Sequence, residues 1–122
     1  MRVGAKNFLE KFLSIFSKKI NLTYKGKILL TFSEKPGVFE VWRLHEFRKR
    51  TGLKKVILLY KEEPSQQVKK EAYWKKVELK KIPGDPAEEI KSLHQELENR
   101  GEKVVVVKIE DIADRSIMRD AF

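Results

Sequence analysis

The second half of the chain alternates apolar runs with polar segments that carry helix signals. Apolar runs cover residues 54–60, 77–82 and 104–109, and helix starts at Ser65 and Asp85 mark the two segments between them. The order strand, helix, strand, helix, strand predicts parallel strands joined by crossover helices. Because such sheets bind ligands outside the carboxyl ends of their strands, the order also predicts the edge at which a site lies.

The first half of the chain adds further elements to this prediction. The apolar run at 28–32 is continuous, as in a strand buried on both faces. Residues 7–20 place their Phe and Leu side chains on one arc at the helical period, which predicts an amphipathic helix. The segment between them, 22–27, is expected to form a short hairpin that leads into the strand.

Residues 38–47 fit two structures, a strand returning after a tight turn or a helix. The basic run Arg48-Lys49-Arg50 suits the carboxyl end of a helix, where it complements the helix dipole. Gly52 then suits the position just after the helix. We therefore expect a helix that continues to Thr51.

Three later segments carry more detailed expectations. Asp85 is expected to cap a helix, with Glu88 reaching back as in a capping box. The four consecutive Val residues at 104–107 predict a central strand buried on both faces, and a short final helix is expected from 112 to 121. The polar segment 65–76 is expected to form a helix with an inner face made of Val68, Ala72 and Tyr73.

These elements together predict an α/β fold, a small three-layer Rossmann-like domain with an N-terminal amphipathic helix. Its mostly parallel sheet is expected to have about four to five strands. At 122 residues the chain suits a single domain. Residues 1–26 would hold the N-terminal helix and hairpin, and residues 27–122 the α/β core.

Composition bounds the class of protein and its partners. The chain contains no cysteine, which excludes disulfides and thiolate metal sites and suits an intracellular, cytoplasmic setting. No apolar run is long enough for a transmembrane helix or a secretory signal. The abundance of Lys and Glu resembles thermophile proteins. A net charge of +9 favours a polyanionic partner such as nucleic acid or a nucleotide phosphate.

The first candidate site is the loop that follows the strand at 28–32. If a helix begins near Val38, its free N–H groups face this loop, and Ser33, Lys35 and the backbone of Gly37 would hold a phosphate. Lys61, after the next strand, would add a second cation at the same edge. We therefore expect a positively charged rim along the carboxyl ends of the strands. The alternative is that this loop is an ordinary strand-to-helix turn.

This loop also resembles part of a known family. A strand ending in Thr and Ser, then Pro-Gly, a helix and a Val-Ile-Leu-Leu-Tyr strand is similar to the opening of CARF domains, the CRISPR-associated Rossmann fold. The resemblance covers Leu29–Val38 and Val56–Tyr60. It implies a homodimer that senses a cyclic oligoadenylate, with the ligand lined by Thr31, Ser33, Lys35, Gly37, Lys61, Glu62 and Ser65.

The second candidate site is the pair Glu78 and Lys80. Residues two apart on a strand point to one face, and Glu-x-Lys is half of the PD-(D/E)xK nuclease signature, in which a carboxylate holds Mg²⁺ and the lysine assists the attacking water. That chemistry needs a second carboxylate, yet residues 53–78 contain no Asp. A solvated strand face in a chain rich in Lys and Glu explains the same pair.

The third candidate site combines basic and aromatic residues. Phosphate contacts from Lys or Arg and stacking on aromatic rings are what single-stranded nucleic acid requires. The alternative is that the tryptophans are partly buried anchors and the lysines are simply solvated. Exposure of Trp74 would favour binding. The residues concerned are Arg48, Lys49, Arg50, Trp74 and Lys75.

The sequence thus favours binding of a nucleotide or oligonucleotide at the carboxyl ends of the strands. Ser33, Lys35 and Lys61 would contact the anion, and no cofactor is expected. A metal-dependent nuclease that uses Mg²⁺ at Glu78 and Lys80 is one alternative, and a non-catalytic nucleic-acid-binding or interaction module is the other. The Phe-rich N-terminal helix and the CARF resemblance both favour a homodimer.

Overall fold

The computed structural model of the chain describes residues 24–112. The helix predicted at 7–20 and nearly all of the one predicted at 112–121 lie outside this range, so the homodimer inferred from the first stays a prediction. The strands are β1 (Ile28–Phe32), β2 (Lys55–Tyr60), β3 (Val77–Lys81) and β4 (Val104–Val106). The helices wholly within the range are α1 (Val38–Thr51), α2 (Gln66–Trp74), α3 (Pro86–Asn99) and α4 (Ile109–Ile112).

The four strands form one sheet in the order β3-β2-β1-β4, and every neighbouring pair is parallel. This arrangement confirms the predicted α/β fold with a parallel sheet. The chain moves outward from β1 to β2 and β3, then returns across the sheet to place β4 on the other side of β1. The strand order therefore reverses between β1 and β4.

The sheet is covered on both faces because its central strands are apolar throughout. One set of alternate side chains, including Leu29 and Leu58, packs against α1 and α2. The other set, including Leu30 and Leu59, packs against α3. These four leucines are all fully buried, which is why the two strands read as continuous apolar runs.

The helix expected after Gly37 is confirmed, and its boundaries follow from two glycines. Gly37 is the N-cap residue of α1, and Gly52 ends the helix in the left-handed conformation with φ 75°. The Gly52 N–H donates to the carbonyl of Arg48 at 3.0 Å. No helix in the described part of the chain is long and apolar enough to cross a membrane.

The start of α3 confirms Asp85 as a cap but corrects its partner. The Asp85 carboxylate accepts the N–H of Glu88 at 3.2 Å. Glu89, not Glu88, reaches back, and its carboxylate accepts the N–H of Gly84 at 3.2 Å. Glu89 lies one position further along the helix than Glu88. Its carboxylate still satisfies a backbone N–H, that of Gly84, which precedes the first turn of α3.

Three other expectations need correction. The valines at 104–107 form a short edge strand, not a central one, because β4 pairs only with β1 among the described residues, and Val106 is 48% exposed. Tyr73 lies outside the buried stripe of α2, which consists of Val68 and Ala72. The described part of the predicted hairpin, 24–27, is a turn in which the Lys27 N–H donates to the carbonyl of Tyr24.

Candidate functional site

The loops after β1 and β2 meet at the carboxyl edge of the sheet. The N–H groups of Lys61 and Glu62 both donate to the carbonyl of Glu34, at 3.1 Å and 2.8 Å. The N–H of Ser33 donates to the carbonyl of Leu59 at 3.0 Å. Ser33 and Lys61 therefore lie along the same edge, as the parallel order predicts.

A carboxylate of the chain itself occupies the amino end of α1. The Ser33 hydroxyl donates to Oε1 of Glu40 at 2.8 Å, and the N–H of Gly37 donates to the same oxygen at 3.0 Å. Glu40 thus takes the position at which a ligand phosphate would meet the helix dipole. A phosphate bound through Ser33 and Gly37 would have to displace it, so these contacts weigh against the first candidate site.

Most of the other predicted phosphate contacts are buried or already form hydrogen bonds within the fold. Thr31 is buried within β1, and its hydroxyl forms no hydrogen bond with the described residues. The Lys61 ammonium donates to the carbonyl of Gly84 at 3.1 Å, which ties the loops after β2 and β3 together. The Ser65 hydroxyl accepts the N–H of Val68 and caps α2. Lys35 is exposed to solvent.

An ion-pair cluster also links the loop after β2 to α2 and β3. Glu63 lies 2.6 Å from the ammonium of Lys69 and 3.6 Å from that of Lys81. The hydrogen bond from Lys69 lowers the pKa of Glu63 and raises the pKa of Lys69 in return. Since these groups are exposed, the cluster orients the loop more than it stabilises the domain.

Charge is distributed unequally between the two edges of the sheet. The carboxyl-edge loops, 33–37, 61–65, 82–85 and 107–108, carry three Lys (Lys35, Lys61, Lys108) against four acids (Glu34, Glu62, Glu63, Asp85). The amino-edge loops, 24–27, 52–54, 75–76 and 100–103, carry seven bases (Lys25, Lys27, Lys54, Lys75, Lys76, Arg100, Lys103) against one acid (Glu102). The predicted positive rim therefore lies at the amino edge, opposite to the expected one.

Two aromatic side chains project into solvent at this amino edge. Tyr73 and Trp74 are 77% and 75% exposed, and their ring centroids are 5.6 Å apart with the planes at 80°. They end α2, and Lys75 and Lys76 follow directly. Trp74 is therefore not the partly buried anchor of the alternative interpretation.

The basic run at the end of α1 lies at the same edge. Helices α1 and α2 both run back along the sheet and pack side by side on one face, so their carboxyl ends lie at the same edge. Arg48 and Arg50 form no ion pair with residues 24–112, and the Lys49 ammonium is 3.8 Å from Glu46. The Lys75 ammonium contacts Glu71 at 3.1 Å.

The Glu78 and Lys80 pair occupies an exposed part of β3. Both side chains are exposed, on the face opposite to Val77. The Glu78 carboxylate pairs with the Lys55 ammonium at 2.8 Å. Within 24–112, no three His, Asp or Glu side chains gather where they would hold a metal ion. The contacts that the pair makes are those of a solvated strand face.

Glu40 was not identified from the sequence, although it lies three residues after Gly37, the spacing of the acidic partner in a capping box, once the start of α1 is known. Comparison of the chain with protein-family models, curated proteins and solved structures finds no match. The resemblance to CARF domains therefore stays a prediction.

Proposed function

We propose that this protein binds single-stranded nucleic acid, without catalysis, at the amino edge of its sheet. The amino-edge patch is defined by Arg48, Lys49, Arg50, Trp74 and Lys75. The single observation that carries the proposal is the exposure of Trp74, which is 75% accessible at the edge of the sheet that carries these basic residues. A large apolar ring left in water at a basic surface costs solvation free energy unless a partner covers it.

The chemistry of the patch suits a strand with unpaired bases. Arg and Lys side chains neutralise backbone phosphates, and an aromatic ring stacks on any base whose face is free. In a duplex the base faces are already stacked on one another, so Trp74 would have no partner. The patch therefore favours single strands, with little dependence on sequence.

The carboxyl edge is less suited to a polyanion. Acidic side chains outnumber basic ones in its loops. Glu40 already accepts both hydrogen bonds that Ser33 and Gly37 would offer to a phosphate. Like-charge repulsion from Glu34 and Glu62 would oppose the approach of a nucleic-acid backbone.

Replacing Trp74 by Ala tests the proposal directly. We expect Trp74→Ala to weaken binding of a labelled oligodeoxythymidylate of about 12 nucleotides about 5- to 150-fold, because one stacked base contributes about 1–3 kcal/mol. Fluorescence anisotropy titration measures the dissociation constant. Trp74→Phe keeps an aromatic face and should retain most of the affinity.

Phe39 supplies the matched control for Trp74. It is 74% exposed at the start of α1, so it lies at the carboxyl edge. Phe39→Ala removes an equally exposed ring and should leave the dissociation constant unchanged. Equal effects of Phe39→Ala and Trp74→Ala, or none from Trp74→Ala, would exclude stacking at the amino edge. Polyglutamate, added as a competitor, tests whether the surface binds an acidic polypeptide instead, because polyglutamate carries negative charge but offers no base to stack on Trp74.

A further inference from the structure

Each of the three long helices of the described range is followed, within two residues, by a residue with left-handed backbone conformation. These residues are Gly52 with φ 75°, Lys76 with φ 59° and Gly101 with φ 88°. Each lies at the amino edge, between the end of a helix and the start of the next strand. Two of the three positions hold glycine, which adopts this conformation without steric cost. The third position holds Lys76.

Lys76 is the one residue other than glycine with positive φ among residues 24–112. A side chain at such a position brings Cβ close to the backbone carbonyl, which destabilises the folded state relative to glycine. Nothing within the described residues offsets this strain through the side chain. Lys76 is exposed, and its ammonium forms no ion pair with any of them. Glycine at this position would make the folded state more stable.

We propose that Lys76 is a phosphate contact of the nucleic-acid site, extending the amino-edge patch by one residue. This inference rests on the proposed function. Lys76 follows Trp74 by two residues, and the turn is held by its own N–H, which donates to the carbonyl of Tyr73 at 3.2 Å. Lys75 already contacts Glu71 at 3.1 Å, so Lys76 supplies the uncompensated charge nearest in sequence to the stacking ring.

Lys76→Gly separates binding from stability because the two effects have opposite signs. Relief of the left-handed strain should raise Tm by about 2–4 °C. Loss of one phosphate contact should weaken oligodeoxythymidylate binding about fivefold at about 0.1 M salt and reduce the slope of log K against log[salt] by about 0.7. Thermal unfolding and anisotropy titration on the same sample measure both. Lys76→Arg keeps the charge and should retain the affinity.

Gly101→Ala is the control for backbone strain. Apart from its chain neighbours, a Cβ at Gly101 would meet no atom of residues 24–112 within 4 Å, so a fall in Tm there reports the left-handed conformation. If Lys76→Gly leaves the affinity unchanged while Trp74→Ala weakens it, the inference about Lys76 is overturned and the proposed function stands. If the wild-type protein does not bind the oligonucleotide, both are overturned. A lower Tm for Lys76→Gly contradicts the strain on which the inference depends.

Discussion

Replacing Arg48, Lys49 and Arg50 together by Gln should weaken binding of a single-stranded oligonucleotide about 100-fold at about 0.1 M salt. Each phosphate contact on a single strand contributes about 0.7 to the slope of log K against log[salt], so losing three should lower that slope by about 2. Glutamine keeps much of the side-chain length and the helix propensity. The loss of affinity in this triple variant therefore reports the loss of positive charge rather than unfolding of α1.

Anisotropy titrations at several salt concentrations measure the slope. The matched control replaces Lys35, Lys91 and Lys108 by Gln. These three side chains are exposed and lie away from the amino edge, and the change in net charge is the same. If the two triple variants lose affinity equally, binding depends on net charge alone and the amino-edge patch is not a site.

Leu58→Ala should lower the free energy of unfolding by about 2–5 kcal/mol. Leu58 is fully buried in β2, which is flanked by β1 and β3, and its side chain packs under α1 and α2. The substitution removes apolar atoms and leaves a cavity that a sheet covered on both faces cannot fill. Urea denaturation followed by circular dichroism measures the loss.

Val106→Ala provides the comparison within the same sheet. Val106 lies on the edge strand β4 and is 48% exposed, so its truncation should change the free energy of unfolding by about 0.5 kcal/mol or less. Similar losses in the two variants would mean that β2 is not an interior strand of this sheet.

The elements themselves were predictable because their signals are local. Continuous apolar runs gave β1 and β2, Asp85 marked the start of α3, and Gly52 marked the end of α1. Strand order is a long-range property that these patterns do not encode. The valines at 104–107 were therefore expected at the centre, although β4 lies at an edge with β1 as its neighbour.

The side of the positive charge was mispredicted for a physical reason. Acidic residues stabilise the amino ends of helices and basic residues the carboxyl ends. In a parallel α/β sheet the helices run back along the strands, so acids collect at the carboxyl edge and bases at the amino edge. Helix dipoles thus account for Glu40 and for the run Arg48-Lys49-Arg50. They account neither for the exposed ring of Trp74 nor for a strained lysine at position 76.

Mapping the bound oligonucleotide by NMR locates the binding surface residue by residue. Backbone amide shifts of the labelled protein, titrated with an oligodeoxythymidylate of about 12 nucleotides, identify the residues that the ligand contacts. We expect the largest shift changes at residues 48–54 and 73–77, together with the indole N–H of Trp74. Changes concentrated instead at residues 33–37 and 61–65, or spread without a centre, would contradict binding at the amino-edge patch.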